Sequence, residues 1–233
     1  MITLYAFGPA FGVADPSPFV LKTDAFMRLN EMEFESRSSF KYLQKAPKGK
    51  LPYIKDGDQL IADSFFIQQY LTEKYQLKID ETITPEQHAQ AHFISRAIEE
   101  SLYWCIVYFR WIYAKNWPII KEEFFSKMPF PLKIIAPFMA RKSVISAMRG
   151  HGLSRHTEQE ILTIAKGHLE AISTLLGDKD YCFGNQPCSL DATVFAFLAE
   201  IYLASLSSPL KELANNYTNL EKYCERFQAK YYA

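Results

Sequence analysis

The chain has no excess of charge and few cysteines. Lys and Arg together number 26 among its 233 residues, and so do Asp and Glu, which gives a formal net charge of zero. There is thus no global electrostatic reason to expect a nucleic acid or an anionic membrane as a partner, although a local patch stays open. The four cysteines, at positions 105, 182, 188 and 224, include no Cys-x-x-Cys pair and do not suggest a disulfide framework. We expect a cytoplasmic protein that binds no nucleic acid.

The sequence also lacks a long hydrophobic run. Its longest apolar stretches, 192–206 and 101–113, are interrupted by Glu200 and Arg110 and fall short of the roughly 20 residues that span a bilayer. The first seven residues lack the charged start and apolar core of a signal peptide and instead predict a first strand. We therefore expect no membrane span. With 48% hydrophobic and 22% charged residues, the composition is that of a globular protein with a sizeable core.

Strand and helix signals alternate up to Tyr75, whereas helix signals dominate after Thr84. The first part predicts, in order, a strand, a long loop, a helix, a strand near Phe34, a hairpin and a helix, which is the pattern of an α/β domain. Thr84-Pro85-Glu86-Gln87 places an N-cap before a proline and predicts a helix to about Lys115. The chain therefore divides into an α/β part, 1–76, and an all-helical part, 84–233.

The helical part contains further start and stop signals. Prolines 118, 129, 131 and 137 predict that residues 116–152 form only short helices. Thr157-Glu158-Gln159-Glu160 is a capping box that predicts a helix to about Leu176, and further helices are predicted at about 190–205 and 219–230. His151 and His156 stand five apart with no cysteine nearby, so we interpret them as structural and expect no metal.

The most informative stretch is a hairpin in the α/β part. Two apolar runs, 50–54 and 59–62, flank an Asp-Gly pair that tolerates the positive φ angles of a tight turn. Pro52 cannot donate a hydrogen bond to a sheet, so it belongs at a strand start, where a cis peptide bond would leave the Leu51 backbone free. Asp63-Ser64 follows the second run and opens a helix, with Ser64 expected at the N-cap.

Together these elements predict a binding site for an extended peptide. A ligand could pair its backbone with Leu51, place a carboxylate at the helix start at Ser64 and place an ammonium at Asp63. The γ-glutamyl end of glutathione carries these groups in this order. Lys50 is a further candidate contact. Alternatively, Asp63 and Ser64 only stabilise the helix start, and Lys50 is only a solvated strand residue.

The hairpin and its flanks resemble the N-terminal, thioredoxin-like domain of the glutathione transferase superfamily. The match includes the stretch Ala46-Pro47-Lys48-Gly49-Lys50-Leu51-Pro52 and the later Asp63-Ser64 pair. In the helical part, residues 150–156 with 160–161, 183–185 and 189–192 resemble the subgroup of the failed-axon-connections proteins, which is related to metaxins. The resemblance implies a thioredoxin-like domain followed by an all-α domain. It also implies that glutathione is bound through Lys50, Leu51, Pro52, Asp63 and Ser64.

Ser17 is the candidate catalytic residue. In this superfamily a hydroxyl or thiol near the first strand or helix hydrogen-bonds the glutathione sulfur and favours its thiolate, which is the nucleophile. Ser17 also suits the N-cap position before Pro18, so its hydroxyl has a competing structural role. Aligning the first strand with tyrosine-type transferases puts Ala6 at the tyrosine position, with Tyr5 on the opposite face. Since Ser17-Pro18-Phe19-Val20 carries no sulfur, dithiol or cysteine-dependent thioltransferase chemistry is not expected there.

Two features of the helical part complete the candidate set. The aromatic-rich run 103–113 belongs to the helix that walls the second-substrate pocket in this superfamily. Tyr103 and Arg110 are seven apart and so predicted to share one face, where they either contact a co-substrate or belong to the core. Cys188 stands where the family has Ser or Thr three residues before Asp191. Because cysteine is a poor N-cap, either the helix begins at Ser189 or Asp191 acts without its usual partner.

The sequence therefore predicts a serine-type glutathione transferase-like protein that binds glutathione and a hydrophobic electrophile. Two alternatives stay open. The first is a binding or scaffold protein with the same fold and no transferase activity, which the resemblance to metaxins allows. The second is a glutathione-dependent peroxidase or isomerase, which would use the same glutathione site. By analogy with the superfamily we expect a homodimer, with contacts around residues 65–75 and the start of the Thr84 helix.

Overall fold

The computed structural model describes residues 1–233, and its first part contains four strands and three helices. These elements are β1 Ile2–Ala6, α1 Pro18–Leu29, β2 Phe34–Ser38, α2 Lys41–Lys45, β3 Tyr53–Asp56, β4 Gln59–Ala62 and α3 Ser64–Tyr75. The strands form one sheet in the order β2-β1-β3-β4, in which β1 is parallel to β2 and antiparallel to β3, and β3 is antiparallel to β4. The predicted α/β fold is confirmed.

The two faces of β1 differ as the alternation of strand side chains requires. Leu4 is fully buried opposite its register partner Ile54, and Ala6 is buried on the same face. Tyr5 lies on the other face and stacks on its register partner Tyr53, with ring centroids 4.3 Å apart. Ala6 and Tyr5 therefore point to opposite faces of the sheet, as predicted.

The predicted β3–β4 hairpin is present, and its first strand is fastened to the next helix. Gly57 has φ 60°, so the turn residues are Gly57-Asp58, one position later than the predicted Asp-Gly pair. Asp56 instead ends β3 and accepts hydrogen bonds from Lys74 Nζ at 2.7 Å and from the Tyr75 hydroxyl at 2.8 Å. These two donors on α3 hold the helix against the hairpin.

The second part is entirely helical. Its α-helices are α4 Pro85–Ala97, α5 Tyr103–Val107, α6 Trp117–Phe125, α7 Leu132–His151, α8 Glu158–Leu176, α9 Ser189–Tyr202, α10 Pro209–Ala214 and α11 Thr218–Tyr231. The π-helical turns Ile98–Leu102 and Tyr108–Ile112 continue α4 and α5 as one helical segment. The Thr84 helix therefore ends at Ile112, three residues before the predicted Lys115. The predicted N-cap at Thr84 and the predicted capping box at Thr157 are both present, and Thr84 also forms a capping box, with Gln87.

The prediction of only short helices between residues 116 and 152 was wrong. Helix α7 is 20 residues long and contains Pro137 in its interior. A proline inside a helix removes one hydrogen bond, here to the carbonyl of Lys133. This carbonyl lies in the first turns of α7 beside an exposed side chain, where water can satisfy it, and the helix continues.

The start of α9 resolves the question that Cys188 raised. The helix begins at Ser189, with Cys188 as its N-cap residue. Asp191 is fully buried, and its carboxylate accepts hydrogen bonds from Cys188 N at 2.9 Å, Cys182 N at 2.9 Å and the Tyr223 hydroxyl at 3.0 Å. Asp191 therefore joins α9, the preceding loop and α11 without a serine or threonine cap.

One hydrophobic core runs through both parts of the chain. It contains 47 buried residues, from Ile2 in β1 to Phe227 in α11, and α9 lies at its centre with almost every side chain buried. Helix α1 packs against α9, so the α/β part and the helical part share an apolar interface. No helix in the structure combines the length and the apolar character needed to cross a bilayer.

Candidate active site

A cavity of about 810 Å³ lies between the α/β part and the helical part. Its lining includes every residue that the sequence nominated for binding or catalysis. These are Ser17, Lys50, Leu51, Pro52, Asp63, Ser64, Tyr103 and Arg110. Positions almost a hundred residues apart in the sequence thus meet at one concave site, which is where a substrate would be held.

The hairpin side of the cavity offers free backbone groups. The Leu51-Pro52 peptide bond is cis, as predicted, and Pro52 O accepts a hydrogen bond from Asp63 N at 3.3 Å. Leu51 is a buried residue, yet its backbone N–H and C=O make no hydrogen bond within the chain. Buried backbone groups normally have partners. An extended ligand lying in the cavity could therefore supply them.

The start of α3 differs from the prediction in one respect. Asp63, not Ser64, is the N-cap: its Oδ1 accepts a hydrogen bond from Phe65 N at 2.9 Å, and Ser64 is the first helical residue. Aspartate and serine are equally good N-cap residues, so either of the two neighbours could have taken this position. Asp63 has φ 85°, an unfavourable angle for a residue with a side chain, and such strain is characteristic of functional sites. The Ser64 side chain is buried at the positive end of α3.

Ser17 is the N-cap of α1, as predicted. Its Oγ accepts a hydrogen bond from Val20 N at 3.4 Å, which is long for this type of bond. Its own N–H donates to Asp15 Oδ1 at 2.9 Å. A serine hydroxyl that accepts a capping bond still has its proton to donate. The structural role and the proposed catalytic role of Ser17 are therefore compatible, whereas the sequence presented them as competitors.

Asp15 organises the loop that carries Ser17. Besides the Ser17 N–H, its carboxyl accepts hydrogen bonds from Phe7 N and Gly8 N, both at 2.8 Å. Only 2% of the residue is exposed, and this burial raises the pKa of Asp15 to about 7, against the opposing effect of the three N–H donors. The sequence did not nominate Asp15, because its partners are backbone groups that leave no side-chain motif.

Arg110 lines the cavity but is held in a buried ion pair, which agrees with the second of the two roles left open by the sequence. Its Nη2 lies 2.6 Å from Glu200 Oε2, and its Nη1 donates to the carbonyl of Pro16. The side chains of Arg110 and Glu200 are 7% and 0% exposed, so the guanidinium is not a free cation for a co-substrate. Burial raises the pKa of Glu200, and Arg110 opposes this shift. Arg110 instead ties the loop of Ser17 to α9.

Tyr103 lines the cavity with its aromatic ring. The ring packs edge-to-face on Phe19 of α1 and on Phe197 of α9. The ring centroids are 4.9 Å apart in the first pair and 6.3 Å apart in the second. Burial raises the pKa of its hydroxyl, which therefore stays protonated at neutral pH. Tyr103 thus contributes to the core and to the cavity wall at once, and it remains a candidate contact for a second substrate.

A buried ion cluster under the cavity escaped the sequence prediction. Lys22 of α1, 1% exposed in its side chain, contacts Glu99 at 2.5 Å, and Arg96 pairs with the same carboxylate. Arg96 also lies over the ring of Phe65, 5.1 Å from its centroid. The signal that could have revealed this cluster is a lone lysine on the apolar face of α1. Lys50, in contrast, is exposed and has no ion-pair partner.

No group of three or more His, Cys, Asp or Glu side chains is arranged to hold a metal ion. His151 stacks on Trp104, with ring centroids 4.8 Å apart, and its Nε2 lies 3.0 Å from the carbonyl of Glu100. The histidine therefore joins the end of α7 to the helical segment that lines the cavity.

Comparison with protein families places this fold in a known class. The glutathione S-transferase N-terminal domain model matches residues 18–116, and the glutathione S-transferase C-terminal domain model matches residues 165–227. The isoprene-epoxide glutathione S-transferase of Rhodococcus sp. (strain AD45) is 33% identical, with 99% of both chains covered. The chain belongs to the glutathione transferase family.

Other relatives extend the comparison. Failed axon connections from Drosophila melanogaster is 28% identical over 99% of this chain and 58% of its own length. Metaxin-2 from Homo sapiens is 26% identical over 91% of this chain and 81% of its own. Among solved structures, the apo form of human glutathione-S-transferase T1-1 matches with a TM-score of 0.62 at 17% identity, covering 98% of this chain and 83% of the other. The predicted resemblance and fold are thus confirmed.

Proposed function

We propose that this protein is a glutathione transferase that uses Ser17 to favour the thiolate of bound glutathione. The observation that carries the proposal is the cavity itself, in which the unpaired Leu51 backbone, Asp63, the start of α3 and the Ser17 hydroxyl line one space. Membership of the glutathione transferase family supports the reaction class.

The binding groups match the chemistry of the tripeptide. The γ-glutamyl carboxylate lies at the N-terminus of α3 beside Ser64, where helix N–H groups and the helix dipole favour an anion. Its ammonium contacts the exposed carboxylate of Asp63. The peptide backbone pairs with the N–H and C=O of Leu51, which make no hydrogen bond within the chain. Lys50 adds a cation at the cavity rim.

The chemical step transfers glutathione to an electrophilic carbon. The Ser17 hydroxyl donates a hydrogen bond to the sulfur, which stabilises the thiolate after the thiol proton leaves to solvent. The thiolate forms a C–S bond as the bond from that carbon to its leaving group breaks, and the leaving group takes the electron pair and a proton from water. Apolar side chains on the cavity wall, namely Phe7, Phe40, Trp104, Trp111 and Phe124, suit a hydrophobic second substrate.

Titration calorimetry with reduced glutathione tests the binding site. Asp63→Ala removes the carboxylate that faces the ligand ammonium, and we expect at least tenfold weaker binding than in the parent. Asp58→Ala is the matched control, because Asp58 is an exposed acid of the same hairpin that does not line the cavity. No measurable heat from the parent at saturating glutathione, or equal weakening in both variants, would refute the site.

Steady-state kinetics separates the two roles of Ser17. Ser17→Ala removes both the cap and the hydrogen bond to sulfur, whereas Ser17→Thr keeps a hydroxyl for both. We expect the alanine variant to lose at least tenfold in kcat with a small epoxide, the substrate class in the name of the Rhodococcus relative, and the threonine variant to retain most of it. Equal turnover in the parent and the alanine variant would show that Ser17 only caps the helix and has no catalytic role.

A scaffold protein is the second candidate function, favoured by the similarity to failed axon connections and metaxin-2. It predicts that glutathione binds without turnover of any electrophile, in the parent as in Ser17→Ala. A glutathione-dependent peroxidase or isomerase would instead turn over a hydroperoxide or an isomerisable substrate with the same dependence on Asp63. The three assays on one parent preparation distinguish these functions.

The proposal includes a cytoplasmic homodimer. Large apolar side chains are exposed on β4, α3 and the middle of α4: Leu60 is 54% exposed, Phe66 49%, Tyr75 42% and Phe93 72%. Two of these residues, Phe66 and Tyr75, lie in the contact region expected from the sequence, and the other two lie outside it. Light scattering should give twice the chain mass for the parent and the chain mass for Phe93→Glu. A parent that is monomeric at micromolar concentration would refute the dimer.

A further inference from the structure

A second exposed apolar surface remains, far along the chain from the first, and it is strongly basic. It consists of α7 and the loop before it, and we call it the α7 outer face. Its exposed apolar side chains are Phe130 (76% exposed), Leu132 (52%), Ile134 (62%), Ile135 (46%), Phe138 (70%), Met139 (62%) and Ile145 (44%). Single exposed apolar residues are ordinary, but seven within 16 positions form a patch that needs an explanation.

The charge of this region is entirely of one sign. Between Glu123 and Glu158 the chain has six basic residues, Lys127, Lys133, Arg141, Lys142, Arg149 and Arg155, and no acidic residue. Since the whole chain is neutral, the rest of it carries an excess of six acidic residues. Only Arg141 is engaged, through hydrogen bonds to the carbonyls of Trp111 and Ile112, and none of the six forms an ion pair.

The helical geometry puts the apolar and basic side chains on one surface. Ile134, Phe138 and Ile145 follow one another at helical spacing, and Lys142 and Arg149 continue the same stripe. The opposite face of α7 is occupied, because Ala140, Ser143, Val144 and Ala147 line the cavity. The outer face therefore has no partner within the chain.

We propose that the α7 outer face is a docking surface for anionic lipid membranes. A helix that binds in the interfacial plane needs apolar side chains to enter the headgroup region and Lys or Arg to reach the phosphates. The surface has both, and it has no carboxylate to repel an anionic leaflet. A protein partner is disfavoured, because lysine is depleted at protein–protein contacts and here Lys142 lies within the patch.

The proposal goes beyond the transferase chemistry and does not depend on it. It concerns the kind of local patch that a net charge of zero left open. Peripheral binding of this kind requires no helix that spans the bilayer. Because α7 also walls the cavity, docking through its outer face would bring the apolar cavity close to the lipid surface.

Vesicle flotation tests the proposal with the full-length chain. We expect binding to phosphatidylcholine vesicles that contain phosphatidylserine, little binding to pure phosphatidylcholine, and release as salt is raised. Lys142→Glu/Arg149→Glu should weaken binding by well over tenfold, given roughly fivefold for each positive charge lost. Lys55→Glu/Lys222→Glu, a matched change of exposed and unpaired lysines elsewhere, should bind more tightly than the first variant by at least tenfold.

An apolar variant and three outcomes make the test decisive. Leu132→Ser/Phe138→Ser keeps every charge and should also lose vesicle binding, with an unchanged mass by light scattering. A halved mass would show that the face joins two copies of the chain and would overturn the proposal. Equal binding by the two charge-reversal variants would overturn it in favour of non-specific attraction. Binding to polyglutamate without binding to vesicles would overturn it in favour of an acidic protein.

Discussion

The buried ion pair between Arg110 and Glu200 leads to a specific prediction about the stability of the fold. Arg110→Met removes the only cation beside a carboxylate that is completely buried. Breaking such a pair costs about 3–5 kcal/mol, because the remaining charge is left without compensation. The pair itself is imperfect, since Arg110 Nε and Glu200 Oε1 are both buried without a hydrogen-bond partner. We therefore expect the free energy of unfolding of Arg110→Met/Glu200→Leu to lie within about 2 kcal/mol of that of the parent, or above it.

Urea unfolding monitored by circular dichroism measures both effects. The cost of the single change should be smaller at acid pH, because burial already raises the pKa of Glu200 and loss of Arg110 raises it further. The folded state then takes up a proton more readily than the unfolded state, so its relative stability is greatest at low pH and falls as pH rises. Arg155→Met, at an exposed arginine without an ion pair, should change the stability by less than about 0.5 kcal/mol.

The same pair of variants separates the folding role of Arg110 from its effect on the site. In the double variant the stability is restored, because no unpaired charge is left buried. The hydrogen bond from Arg110 to Pro16 O is still missing, so the loop that carries Ser17 is held less firmly. Turnover should therefore fall while glutathione binding changes little. A single variant that costs less than 1 kcal/mol, or a double variant less stable than the single one, would refute the reasoning.

Two further predictions concern buried carboxyl groups. Asp15 has a folded pKa of about 7 against about 3.9 when unfolded, so the stability it contributes is greatest below pH 4 and is lost as pH rises to 7. The stability difference between the parent and Asp15→Asn should thus shrink by up to about 1.4 kcal/mol per pH unit in that range, and a difference independent of pH in urea unfolding would contradict this. Asp191→Ala leaves the buried N–H groups of Cys182 and Cys188 without an acceptor and should cost at least about 2 kcal/mol, whereas the same change at exposed Asp178 should be nearly neutral in thermal unfolding.

Local sequence signals predicted those parts of the fold that depend on local interactions. The hairpin, the N-caps at Ser17 and Thr84, the capping box at Thr157 and the cis bond at Pro52 all depend on neighbouring residues, and all are present. Proline 137 misled the prediction, because the penalty for a proline inside a helix is small enough for other interactions to override it.

The cavity was predictable only in part. Its hairpin side follows from motifs with fixed spacing, and Leu51, Asp63 and Ser64 line it together. The role of Arg110 could not be read from its spacing to Tyr103, because its partners are Glu200 and a backbone carbonyl nearly a hundred residues away. The same holds for Lys22 and Glu99, which are 77 residues apart. A buried charge in the sequence signals that a partner exists and does not say which one.

Helix α7 shows how one element can serve two environments. Its small residues, Ala140, Ser143 and Ala147, form part of a cavity wall, and bulky side chains there would fill the space that a second substrate needs. Most of its large apolar residues, such as Phe138, are directed to the opposite side, where they stay exposed. A helix whose only function was to close the cavity would carry polar residues on that outer face. The outer face therefore reflects a second requirement, and contact with an anionic lipid surface meets it.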